Sequence, residues 1–173
     1  TAPGKQMKNL VFGVNDSDIT AEDSILSAAS CTTNAITPIL SVLEEKYGIE
    51  SGHVETVHAY TNDQNLIDNV HKGDRRGRAA ALNMVMTETG AAKAVSKALP
   101  ELEGQLTGHA IRVPTPTVSM AVMNLNLDQS TDKEALNQHV KSMAYDSGLS
   151  MQIAYTASTE VVSSDFVGTP EPA

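Results

Sequence analysis

The stretch SAASCTTNAITPILSVLEEKYG, residues 27–48, places a thiol where one kind of backbone gives way to another. Small residues lead into Cys31. Beyond it Ile36, Ile39, Leu40, Leu43 and Tyr47 form the apolar stripe of an amphipathic helix that Gly48 ends. A thiol at such a strand–helix junction feels the positive end of the helix dipole, which favours the thiolate. Two readings compete here. Thr37-Pro38 is itself a good N-cap and first-turn pair, which would leave Cys31 in a preceding turn. A free cysteine is also more often a small buried hydrophobe than a nucleophile.

Downstream, Val54–Tyr60 alternates as a strand and brings His58 to its end, where a Cys–His pair would activate the thiol. Residues Thr61–Met86 form a long polar segment, of a length that in a compact domain serves function or interaction. Ala91, Ala92, Val95, Ala98 and Leu99 mark one side of a short helix that Pro100 stops. Leu106–Val113 and Val118–Leu127 are expected as an antiparallel pair joined through Pro-Thr-Pro. Thr131 and Glu134 have capping-box spacing ahead of a helix carrying Leu136, Val140, Met143 and Ala144, with Gly148 as its stop. Strand-like runs at Asn9–Val14, Ser24–Ala29 and Val161–Val167 complete an α+β pattern. The first two cannot bury their faces alone, so the chain reads as a fragment.

The 173 residues suit one domain, or one domain plus a piece of another. With 40% apolar and 19% charged residues the chain is globular, not disordered, collagen-like or coiled-coil. No apolar run approaches the ~20 residues of a membrane span. One cysteine cannot form an internal disulfide, which points to a reducing, cytoplasmic setting. A net charge of −9 argues against nucleic acid or an anionic membrane as the main partner. Yet three of the four arginines, Arg75, Arg76 and Arg78, are clustered, and Arg112 opens Arg-Val-Pro-Thr-Pro, as in a site for a small anion. Thr89-Gly90 opens a helix whose free amides would add anion donors, and Ser30, Thr32 and Thr61 supply hydroxyls at element ends. Ordinary capping explains each of these singly. His53, His58, His71, His109 and His139 are scattered, so no metal site is expected, and no G-x-G-x-x-G or phosphate-loop motif occurs.

Five segments in one order carry a resemblance. Ser-Cys-Thr-Thr-Asn at 30–34, His-Ala-Tyr-Thr-Asn-Asp-Gln at 58–64, His-Lys-Gly-Asp-Arg-Arg-Gly-Arg at 71–78, Thr-Gly-Ala-Ala-Lys-Ala at 89–94 and Arg-Val-Pro-Thr-Pro at 112–116 resemble phosphorylating glyceraldehyde-3-phosphate dehydrogenases, catalytic domain. The resemblance implies a mixed, largely antiparallel sheet with helices on one face. It implies that Cys31 attacks the aldehyde of glyceraldehyde 3-phosphate, with His58 as acid–base group, through a thiohemiacetal and a thioester. Thr61 and Arg112, with Arg76 nearby, would hold the substrate phosphate. Ser30, Thr89 and Gly90, with Thr32 close by, would receive inorganic phosphate. The cofactor would be NAD, or NADP, with Thr1 touching it; residues 1–30 would be the tail of the NAD-binding domain, and 31–173 the catalytic, substrate-binding domain, truncated at its C-terminus. The long loop would be the family's S-shaped loop, at a subunit interface of a cytoplasmic homotetramer of glycolysis or gluconeogenesis.

Ala35 replaces the family's frequent second cysteine, Ala28 a common asparagine, and Gly73 and Gly77 are read as loosening the loop. Without the glycine-rich nucleotide fold, the isolated chain is expected to lack dehydrogenase activity. Three other readings stand beside this one: an erythrose-4-phosphate dehydrogenase without phosphorolysis, a non-catalytic regulatory paralogue, and a free-standing cysteine hydrolase.

Overall fold

The computed structural model describes residues 7–173, so Thr1 lies outside the described residues. Helix α1 spans Cys31–Tyr47. Its start is settled by Ser30, whose side chain accepts from the Thr33 N–H and so satisfies one of the helix's orphan donors. Thr37-Pro38 therefore lies inside the helix, and both residues are buried. Gly48 ends it at φ 68°, and a Cβ there would stand 2.5 Å from the Asp128 carboxylate, so only glycine fits.

The chain then runs through β1 (Ile49–Ala59), β2 (Val85–Glu88), α2 (Ala91–Ala98), β3 (Leu106–Val113), β4 (Met120–Leu127) and α3 (Lys133–Asp146). One four-stranded sheet has the order β2-β3-β1-β4. β1 pairs parallel with β3 and antiparallel with β4, and β2 pairs antiparallel with β3, so the sheet is mixed and largely antiparallel. The helices cover one face. Ile36, Leu40, Leu43 and Tyr47 of α1 and Val95 of α2 pack with Ile49 and Val54 of β1, with Leu136 and Val140 of α3 against them. Burying each of the larger side chains contributes about 1.5–3 kcal/mol before entropy is counted. The opposite face of the sheet, carrying His53, Glu55, Thr107, His109, Met120 and Val122, is not covered by any described helix. Among the described residues no helix is long and apolar enough to cross a membrane.

Four local expectations are corrected. β3 and β4 are not paired, because β1 lies between them. Their connector holds two prolines, which lack ladder donors, and it crosses the end of β1: Tyr60 N–H donates to the Thr115 carbonyl (3.1 Å) and Ala59 N–H to Ser119 Oγ (3.1 Å). The cap of α3 is Asp132 rather than Thr131. Its carboxylate accepts from Ala135 N–H at 2.8 Å, and aspartate is the stronger cap. The helix closes at Ser147, one residue before Gly148. Of the terminal strand-like runs, Asn9 and Ser27 form only an isolated parallel bridge, and Val161–Val167 is broken by a 3-10 turn at Ser163–Phe166, where Asp165 accepts from Val162 N–H (2.8 Å).

Candidate active site

The first turn of α1 and the end of β1 meet beneath the helix-covered face, and each delivers one reactive side chain. Cys31 is the first residue of α1 and is exposed. His58 is buried near the end of β1, on the same side as Val54 and Thr56. Cys31 Sγ and His58 Nε2 are 3.6 Å apart. On the far side of the ring, His58 Nδ1 stands 2.6 Å from the Ala59 carbonyl oxygen. An oxygen can only accept, so Nδ1 carries the proton and Nε2 faces the sulfur. Arg112 Nη1, 2.9 Å from Nδ1, then directs its hydrogens to the Ala59 carbonyl (3.2 Å) and Thr61 Oγ1 (3.3 Å).

This arrangement lowers the Cys31 thiol from its ordinary value to about 7. The His58 hydrogen bond contributes most. Burial opposes it, and the charge on His58 and the hydroxyl and amide of Thr32 assist. Burial, then the neighbouring Arg76 charge, depresses Arg112, while a Cys31 thiolate raises it. Arg112 Nε is buried without a hydrogen-bond partner, a donor left for something anionic.

Cys31 and His58 open onto a cavity of about 750 Å³, walled also by Thr56, Val118, Tyr155 and Phe166. Among the described residues, three that are not glycine have positive φ: Ala29 (57°), Arg75 (63°) and Val118 (60°). One stands two residues before Cys31, one precedes Arg76, and one lines the cavity. Left-handed backbone costs roughly 1–2 kcal/mol at a residue with a Cβ, and such strain gathers where function over-determines geometry.

The sequence-predicted residues divide into two groups. Cys31, His58, Thr61 and Arg112 form one connected cluster, with Thr32 Oγ1 4.0 Å from the sulfur and Ser30 capping the helix that Cys31 begins. Arg76 is held by an ion pair with Asp63, which also faces His71 at 3.8 Å, although its charge is felt at Arg112. Thr89 Oγ1 accepts from Ala91 N–H (3.2 Å), and Gly90 is the N-cap of α2. Neither is hydrogen-bonded to the Cys31 cluster. Sequence reasoning overlooked Asp63, which sets where Arg76 points. The signal was its opposite charge within a polar loop. It also missed Ser119, whose hydroxyl closes the end of β1.

Gly77 does not loosen the long loop. A Cβ there would lie 2.3 Å from the Asn69 carbonyl, at the place where Asn69 N–H donates to the Gly77 carbonyl (2.9 Å). The glycine permits a close approach of two backbone strands, and the loop is cross-tied there. Asp68 adds a bond to Ala79 N–H at 2.7 Å.

Residues 30–173 match the family described as glyceraldehyde 3-phosphate dehydrogenase, C-terminal domain. A glyceraldehyde-3-phosphate dehydrogenase-like protein of Pseudomonas aeruginosa is 63% identical over 169 residues, covering 97% of this chain and 37% of its own length. Glyceraldehyde-3-phosphate dehydrogenases of Clostridium pasteurianum (45% identical; 95% of this chain, 48% of theirs) and Zymomonas mobilis (43%; 98% and 50%) are also similar. The chain thus spans between 37% and 50% of the length of these relatives.

Proposed function

The chain belongs to the glyceraldehyde 3-phosphate dehydrogenase family, whose C-terminal domain it matches, and from that premise we propose that it is the catalytic domain of an enzyme that oxidises and phosphorylates glyceraldehyde 3-phosphate. The observation that carries the reading is the Cys31–His58 pair at 3.6 Å, with the thiol at about 7, beside an arginine with an unsatisfied buried donor. We also read residues 31–173 as the substrate domain and 1–30 as the tail of a dinucleotide domain, supported by the parallel bridge Asn9–Ser27.

Cys31 thiolate attacks the aldehyde carbon. A C–S bond forms and the carbonyl π pair moves to oxygen. Of the first-turn amides of α1, Thr33 N–H is taken by Ser30 Oγ, which leaves Cys31 N–H, with the helix dipole behind it, as the donor for the developing oxyanion. His58 Nε2, 3.6 Å from the sulfur, takes the proton that the thiol loses, gives it to that oxygen and takes it back when the carbonyl re-forms. NAD or NADP would supply the acceptor for the hydride lost from the thiohemiacetal carbon. With no G-x-G-x-x-G motif in the chain and Thr1 outside the described residues, no cofactor contact is assigned. Inorganic phosphate then attacks the thioester, and Cys31 leaves as the thiolate that His58 favours.

Arg112 and Thr61, close enough to share a hydrogen bond, suit the substrate's own phosphate, with Arg76 in support. Ser30, Thr32, Thr89 and Gly90 are the candidates for inorganic phosphate. The expected assembly is a cytoplasmic homotetramer. Exposed Leu66, Ile67, Val70, Leu82 and Met84 on the long loop support burial against a neighbour.

The test needs no cofactor. Incubation with the acyl phosphate 1,3-bisphosphoglycerate should leave a 3-phosphoglyceryl thioester on Cys31, seen as added mass, absent in Cys31→Ala and discharged by inorganic phosphate. A thioester that water discharges faster than phosphate does would favour the erythrose-4-phosphate reading. No adduct on a folded protein with a reactive thiol would refute acyl transfer.

A further inference from the structure

The open face of the sheet brings together residues that are far apart in sequence. His53 and Glu55 are two apart on β1 and share the face away from the helices. The parallel register sets Glu55 opposite His109 and His53 opposite Thr107. One ligand-capable atom from each of His53, Glu55 and His109 lies within 4.8 Å of the other two. His53 Nε2 is 3.8 Å from Glu55 Oε2, and the two imidazoles are 5.3 Å apart, tilted by 41°.

The hydrogen bonds fix the tautomer. Thr107 Oγ1 donates to the Gly52 carbonyl (3.3 Å), so its lone pair accepts from His53 Nδ1–H at 2.8 Å. His53 Nε2 therefore turns a lone pair toward the carboxylate. Lone pair against carboxylate is unfavourable unless a cation lies between them, and 3.8 Å is too long for a direct hydrogen bond. Glu55 Oε1 is closed off from solvent and has no hydrogen-bond partner. A direct His53–Glu55 ion pair through Oε2 would leave Oε1 unsatisfied. Ligands about 2.0–2.2 Å from one tetrahedral ion stand roughly 3.3–3.5 Å apart. The three atoms thus need to close by at most about 1.5 Å from 4.8 Å, which side-chain rotation supplies.

We propose that His53, Glu55 and His109 form a divalent transition-metal site on the open face of the sheet. Two imidazoles and one carboxylate suit zinc, with the fourth position left to water or an exogenous ligand. The ion clips β1 to β3, and Thr107 is the outer partner that orients His53. Glu88, opposite His109 on β2, and Asn124, opposite His53 on β4, border the site. His58 projects to the other face of β1, so the site is separate from Cys31 and does not depend on the proposed reaction.

The experiment is titration of metal-stripped protein with Zn2+ by calorimetry and with Co2+ by visible absorption. One ion per chain is expected, with a Co2+ spectrum lacking thiolate charge transfer. His53→Ala, His109→Ala and the near-isosteric Glu55→Gln should each weaken binding by more than the roughly 10–100-fold typical of an outer partner, and Thr107→Val by about that amount. Cys31→Ala should bind as the wild type does. Circular dichroism checks that each variant is folded. Absence of saturable binding to folded wild type overturns the proposal, as does binding that Cys31→Ala removes and the histidine variants keep.

Discussion

Replacing His58 with asparagine removes the largest contributor to the lowered Cys31 pKa while keeping a polar side chain of similar length. With the thiol at about 7, roughly half of Cys31 is thiolate at neutral pH. Without His58 the pKa should return toward the reference of ~8.5, where only about 3% is ionised. Thiolate supply thus falls about 15-fold. Intrinsic nucleophilicity rises with pKa, by about 5-fold for 1.5 units at a Brønsted slope of ~0.45. The net rate at pH 7 should therefore drop only about 3-fold, and a single-pH comparison would understate the pair. The full profile is decisive. Iodoacetamide alkylation of the lone cysteine, followed by intact mass from pH 5 to 10, should show the wild-type midpoint near 7 and the His58→Asn midpoint near 8.5. The variant's alkaline plateau should be higher, about 5-fold on the same slope, so the two curves cross. The sign follows from the cause: His58 favours the charged form, so its loss moves ionisation to higher pH. Coincident curves, or a wild-type midpoint already at 8.5, would refute the claim that this geometry activates the thiol.

Three further outcomes follow from the packing. Gly77→Ala should destabilise the protein by about 1–3 kcal/mol in urea unfolding, because its Cβ meets backbone, whereas Gly73→Ala meets only the Arg76 and His71 side chains and should cost less. Equal effects would contradict the cross-tied loop. Ser30→Ala should lose about 1 kcal/mol in the same assay through the lost cap on Thr33 N–H, and no change would mean that the cap is idle. Leu40→Ala, at a fully buried core position, should cost about 2–5 kcal/mol, and a loss below 1 kcal/mol would mean that the core closes over the gap.

Much of the site was legible because its signals are local. The small-residue approach to Cys31, the apolar stripe from Ile36 to Tyr47 and the stop at Gly48 concern neighbours within one or two helical turns. The order of the five motifs pointed to His58, Thr61 and Arg112, which the fold gathers around the sulfur. The helix start was ambiguous because Ser30 and Thr37 both have capping chemistry, and Ser30 is the one that caps. Arg76 was read as a free anion ligand because its partner Asp63, thirteen residues earlier, is brought to it only by the folded loop.

The amino-acid sequence by itself determined the helices and their approximate ends, since a helix draws its hydrogen-bond partners from four residues away. Strand partners carry no such local address. That β1 inserts between β3 and β4 depends on the path by which the chain returns, and the same insertion decides what faces what. On the helix-covered side it sets His58 in register with Arg112. On the open side it sets Glu55 against His109 and gathers two histidines that sequence spacing had left apart. A shift of one residue in that register would send every one of these side chains to the other face, and so the chemistry on both sides of the sheet belongs to the tertiary structure.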